Sequence, residues 1–154
     1  MRPKFVVDAD LHPLCKALRI LGCDALYCGN LNLRQTLQSA IEERRIWIRS
    51  RMDDLNLQFG VRYFVIQSNT VPEQLQELDS QYSLRALINP FSRCLKCNEE
   101  LIPASKVEVE AGVPLKARET YNQFYICPCC RRFYWQGGHW QRMSEKLKTW
   151  GWSA

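Results

Sequence analysis

Apolar positions along this chain fall into short runs separated by helically spaced stripes. Lys4-Phe5-Val6-Val7 is an apolar run ending in Asp8-Ala9-Asp10, which predicts a buried strand delivering carboxylates at its C-terminal end. Leu11, Leu14, Cys15, Leu18 and Leu21 then recur at helical spacing, with Gly22 placed to stop the helix. Asp24 to Cys28 reads as a second strand, and Gly29 to Asn32 as a loop with Asn32 a candidate N-cap. Leu33, Leu37, Ala40 and Ile41 outline a second helix; Ile46-Trp47-Ile48 and Tyr63-Phe64-Val65-Ile66 read as further strands. A third helix begins at Val71-Pro72, with Leu75, Leu78 and Tyr82 on one face. Strands alternating with helical stripes predict an α/β fold, a parallel sheet covered by helices. Ligands of such sheets gather beyond the carboxyl ends of the strands, where Asp8, Asp10 and the segment from Ser50 to Asp54 fall.

The pattern changes at Asn89-Pro90-Phe91-Ser92, which sets a boundary between residues 1–91 and 92–154. Two Cys-x-x-Cys pairs follow, Cys94 with Cys97 and Cys127 with Cys130. Two pairs at this spacing can close a tetrahedral site around one structural zinc ion, because two intervening residues let a tight turn aim both sulfurs inward. Ile102 to Pro114 reads as mixed, with a strand or two. Strand-like runs lead into the second pair (Asn122 to Ile126) and out of it (Arg131 to Trp135), so the predicted module is a zinc ribbon. After Gly137-Gly138, residues 139–150 form an amphipathic terminal helix with Trp140, Met143, Leu147 and Trp150 on one side.

Charge adds a modest bias. The formal net charge is +5; residues 1–91 carry 11 basic and 10 acidic side chains, and residues 92–154 carry 10 and 6, so the excess lies in the second part. That permits nucleic acid as a partner without requiring it. The first residues lack the apolar core of a secretory leader, and no run approaches the ~20 apolar residues of a membrane span, so the expected location is cytoplasmic, with reduced thiols. Cys15, Cys23 and Cys28 fall in apolar surroundings and read as small buried hydrophobes. Cys129 lies between two ligands and could compete for the metal, but Cys130 has the better spacing.

Several residues carry candidate chemistry beside a plainer role. Asp8 and Asp10, if their segment stays extended, point to one side and can hold magnesium or manganese for phosphodiester cleavage. Their plainer role is a helix cap and a solvated acid. Asp53 and Asp54 can complete such a cluster or simply enrich a helix N-terminus in acids. Arg131, Arg132, Phe133, Tyr134, Trp135, His139, Trp140 and Arg142 interleave cations with aromatics, as surfaces that stack on single-stranded bases do; a small ribbon also needs aromatic core.

Taken together, these residues resemble the Mut-seven C-terminal RNase domain family, a PIN-like nuclease domain followed by a zinc ribbon. Arg93-Cys94-Leu95-Lys96-Cys97-Asn98 with Leu101 is similar to that family's first knuckle. Phe124 through Cys130 and Tyr134-Trp135-Gln136-Gly137-Gly138-His139-Trp140 are similar to its second knuckle and the signature that follows. Phe5-Val6-Val7-Asp8, Leu18-Arg19-Ile20-Leu21-Gly22-Cys23-Asp24 and Arg45 to Ile48 with Ser50-Arg51 match its N-terminal motifs. The resemblance implies a metal-dependent endoribonuclease acting on RNA, with Asp8 the first acidic ligand and Arg51 a phosphate contact. The chain departs from the pattern in its acids. Met52 stands where the Thr-Arg-Asp motif has its carboxylate, and a thioether is a poor ligand for a hard cation. Asn30 and Asn32 stand where the family carries acids, and Asp10 where it carries an apolar residue. The alternatives to an enzyme are a non-catalytic RNA- or ribosome-binding module and a protein-interaction adaptor using the aromatic C-terminal face.

Overall fold

The structure is a computed structural model describing residues 2–52 and 60–152. The chain divides into two compact units, Met1–Phe91 and Ser92–Ala154.

The first unit is built on four parallel strands: β1 (Lys4–Val7), β2 (Asp24–Tyr27), β3 (Ile46–Arg49) and β4 (Arg62–Val65), in the order β2-β1-β3-β4. The central strands are the most apolar. Phe5, Val6 and Val7 of β1 and Ile46, Trp47 and Ile48 of β3 are all buried, as strands covered on both faces must be. Helices α1 (His12–Ile20) and α3 (Val71–Tyr82) pack together on one face, where Phe5 and Phe64 meet the Tyr82 ring edge-on at 5.8 and 6.0 Å. Helix α2 (Leu33–Glu42) covers the other face through Ala40 and Leu37, against Val6 and Trp47. This gives the α/β fold, a parallel sheet flanked by helices.

Local signals account for the element ends. Asn32 caps α2: its side chain accepts from the Gln35 amide at 2.9 Å while the Gln35 side chain accepts from the Asn32 amide at 2.9 Å. Gly22 adopts φ +84° after α1, and the Cys23 amide bonds back to the Leu18 carbonyl at 2.9 Å, a left-handed helix stop that favours glycine.

The family-like run from Leu18 to Asp24 is structural. Arg19 Nε donates to the Ala25 carbonyl on β2 at 2.8 Å. Asp24 accepts from Arg45 Nη1 at 2.6 Å, and the same nitrogen reaches the Phe5 carbonyl at 3.2 Å. Arg19 and Arg45 are both buried, so these two cations join helix, loop and sheet in the interior.

The second unit carries a small antiparallel sheet, β5 (Ile102–Pro103), β6 (Tyr125–Ile126) and β7 (Phe133–Tyr134), and a terminal helix α6 (Gly138–Thr149) with Leu147 buried. The segment from Ile102 to Pro114, expected to be mixed, holds β5 and the helix α4 (Lys106–Gly112), and α5 (Leu115–Thr120) follows it. Ser105 and Glu108 form a reciprocal capping box that starts α4 despite β-branched Val107 and Val109. Among the described residues, no helix is long and apolar enough to cross a membrane.

Candidate functional site

The two Cys-x-x-Cys turns fold into near copies of one another. In each, the amide after the second cysteine bonds to the first cysteine's carbonyl: Asn98 to Cys94 and Arg131 to Cys127, both at 2.9 Å. In each, the first cysteine's amide bonds two residues beyond the second: Cys94 to Glu99 and Cys127 to Arg132, both at 2.9 Å. Asn98 and Arg131 both take left-handed backbone, φ +66° and +64°, which turns the chain sharply enough to aim both sulfurs one way.

The Sγ atoms of Cys94, Cys97, Cys127 and Cys130 all lie within 4.8 Å of one another, and Cys94 and Cys130 sulfurs are 3.7 Å apart. A tetrahedron with zinc–sulfur bonds of about 2.3 Å has edges of about 3.8 Å, so the four sulfurs fit such an ion. Amides of Cys97 and Cys130 donate to Cys94 and Cys127 sulfurs at 3.4 and 3.5 Å. The Tyr134 hydroxyl donates to Cys94 Sγ at 3.1 Å. Burial alone would push the Cys94 thiol up, but these donors outweigh it and bring it down to about 7. Burial and the neighbouring thiols push Cys97 the other way. Four sulfurs this close cannot all ionise without a cation among them, and a divalent metal such as zinc resolves that conflict.

Cys129 is not one of the four clustered sulfurs and is exposed, while Cys15 is buried and Cys28 half-buried. Burial pushes the thiols of Cys15 and Cys28 up to about 11. The thiolate is the reactive form. In the metal-loaded folded protein, alkylation near pH 8 is therefore expected to modify Cys129 first and Cys15 and Cys28 last. Peptide mass spectrometry after timed iodoacetamide treatment checks the order, and early labelling of Cys15 would contradict the packing of α1.

At the other candidate site, Asp8 follows β1. Connections leave β1 towards β2 and β3 towards β4, so the chain changes direction between β1 and β3, where open parallel sheets form a crevice. The Asp8 amide extends the ladder to the Ile48 carbonyl at 2.9 Å. Its carboxylate accepts from Trp47 Nε1 at 2.7 Å through one oxygen and from the Ser50 amide at 3.1 Å through the other. Asp8 is thus half-buried and fixed, not simply solvated. Arg49 lies over the Trp47 ring, 4.4 Å from its centroid, adding a cation on the same side.

Asp10 behaves differently. Residues Ala9–Leu11 form a single 3-10 turn, so the alternation of an extended segment does not hold, and Asp10 is exposed. It makes no side-chain cap for that turn or for α1. Asp53 and Asp54 lie outside the described residues. Among the described residues, the cysteine cluster alone brings three or more metal-ligating side chains together. Arg51 and Met52 are exposed.

Of the cation–aromatic series in the second unit, Arg132, His139 and Arg142 are exposed. Arg131 is exposed too but pairs with Glu108 of α4. Trp135 is half-buried, its ring tilted against Phe124 at 5.8 Å, and Trp140 is half-buried on α6. Trp47 and Tyr134, which orient Asp8 and Cys94, were not singled out for these roles in the sequence; both act on residues about forty positions away, beyond the reach of local pattern.

A family model described as Mut7-C RNAse domain matches residues 3–147. Neither a curated protein nor a solved structure matches the chain.

Proposed function

Because this chain belongs to the Mut7-C RNAse domain family, we propose that it acts on RNA at the carboxyl ends of its parallel strands, with the four-cysteine centre holding structural zinc. The observation that carries this reading is Asp8, a carboxylate anchored at the crevice between β1 and β3 by Trp47 and Ser50. A carboxylate offers about four acceptor positions, and two are occupied here, so room remains for a cation. Asp8, with Asp53 or Asp54, would hold magnesium or manganese, and exposed Asp10 adds negative charge nearby. When bound, that ion supplies the Lewis acid for phosphodiester hydrolysis. Trp47 holds the Asp8 carboxylate in place. Arg51, exposed just after β3, contacts a backbone phosphate. In the second unit, Arg132, His139 and Arg142 form the exposed part of an RNA-binding surface, to which Arg131, Trp135 and Trp140 contribute from more engaged positions. A cytoplasmic location, with ribosomal or protein partners for the aromatic face, is consistent with this role.

A second reading has its own support. Met52, exposed at the position of the family motif's acid, and Asn30 and Asn32 reduce the negative charge a metal would meet, which favours an RNA-binding protein without cleavage. One experiment separates the two. Single-stranded RNA is incubated with wild-type protein and Asp8→Asn, in manganese, magnesium or EDTA, and both cleavage and binding are followed. The enzyme reading expects metal-dependent cleavage that falls in Asp8→Asn to the level in EDTA. Salt-dependent binding with no cleavage in any metal would establish the second reading, and no binding at low salt would end both. Thermal stability of Asp8→Asn is measured in parallel, because its amide nitrogen would face a backbone or indole N–H and cost about 1–3 kcal/mol.

A further inference from the structure

Along the same strand ends, β2 closes with Tyr27, and its ring is fixed on several sides. The Tyr27 hydroxyl donates to the Ala9 carbonyl at 2.7 Å, tying it to the turn that follows Asp8. Gly29 lies so close to the ring that a Cβ there would sit 2.2 Å from a ring carbon. His12, the first residue of α1, meets Tyr27 edge-to-face with ring centroids 4.7 Å apart and an interplanar angle of 62°. Tyr27 is half-buried, whereas His12 is exposed. The metal-ligand geometry described above uses neither ring. One helical turn on, Lys16 is exposed at the i+4 position, which places its ammonium on the helix face that carries His12.

An imidazole held still at the surface, with a cation one turn away, suits one nucleotide of a single strand. Histidine rings stack on unpaired bases, and lysine neutralises the phosphate. Because Tyr27 already orients the imidazole, docking a base there orders fewer side-chain torsions than it would on a free surface histidine. We propose that His12 is a base-stacking residue, positioned by Tyr27 and assisted by Lys16, that seats one nucleotide of single-stranded RNA beside Asp8. This rests on the RNA-acting reading above.

The test uses the full zinc-loaded chain and a short single-stranded RNA carrying 2-aminopurine, whose fluorescence is quenched on stacking. Wild type is expected to quench it. His12→Ala is expected to lose the quench and to bind about five- to a hundredfold more weakly, the range for one stacked base. His12→Phe restores stacking, and Tyr27→Phe, which keeps the ring, retains the quench. Lys16→Gln lowers the slope of log affinity against log salt by about 0.7. If wild type binds RNA and His12→Ala matches it in quench and affinity, the stacking site is wrong and the RNA reading survives. If wild type binds no RNA at low salt, both fall. Since His12 is exposed, its variants keep the fold, so the test does not depend on substituting half-buried Tyr27 with alanine.

Discussion

Cys94→Ser is expected to strip the C-terminal unit of its metal and, with the metal, of its fold. Wild-type protein should carry about one equivalent of zinc, and the variant almost none. The reason for so large an effect lies in how little else holds residues 92–154. Their sheet consists of three two-residue strands. Cores of units this small rarely supply more than about 3–5 kcal/mol, whereas a structural zinc site contributes about 10–16 kcal/mol in isolated fingers near neutral pH. Cys94 is fully buried and accepts hydrogen bonds from both Tyr134 and the Cys97 amide; a serine oxygen keeps an acceptor there but cannot supply the thiolate ligand. Metal analysis together with near-ultraviolet circular dichroism checks the outcome, since Phe124 and Trp135 pack against one another there. Cys129→Ser is the control and should keep the full equivalent. A Cys94→Ser protein that retains its zinc would overturn the four-cysteine assignment.

Arg45→Met should strongly destabilise the first unit. Its side chain is 6% exposed and holds Asp24 at 2.6 Å, Glu43 at 2.9 Å and the Phe5 carbonyl at 3.2 Å. Removing one partner of a buried ion pair costs about 3–5 kcal/mol, because the other charge stays behind unpaired. Water reaches Asp24, whose side chain is 19% exposed, so the lower end applies, about 3 kcal/mol. For a unit of this size that lowers the melting temperature by more than about 10 °C. The double variant Arg45→Met, Asp24→Leu removes both charges and is expected to recover part of the loss. A melting temperature unchanged in Arg45→Met would mean that the buried pair contributes nothing. The same comparison explains why the Leu18-to-Asp24 motif is built as it is: Arg19 serves the Ala25 carbonyl and Asp24 serves Arg45, which are structural duties.

Much of the fold is written in local pattern. The alternation of apolar runs and helical stripes specifies the parallel sheet and its helices, because burial on one face or two imposes a period of its own. Asn32 as a cap, Gly22 as a stop and the two cysteine pairs are likewise local, each involving residues within a few positions. The Ser105–Glu108 capping box is local too, and it starts α4 among valines whose β-branching disfavours helix.

The strand-end site was only half legible. Sequence alone determined that Asp8 stands at the end of a buried strand and that four cysteines share a zinc-ligand spacing; that Met52 stands in place of an acid is what the resemblance implies. Tertiary structure decided the rest. Asp8 is fixed by Trp47 and Ser50, residues 39 and 42 positions away, because β1 and β3 lie side by side in register. Asp10 turns out of line because the backbone leaves the sheet at Ala9. His12 and Tyr27 meet because α1 starts beside the end of β2. A side chain's period along the chain sets which face it takes, but its partners depend on which strands become neighbours, and that is settled only when the whole sheet forms.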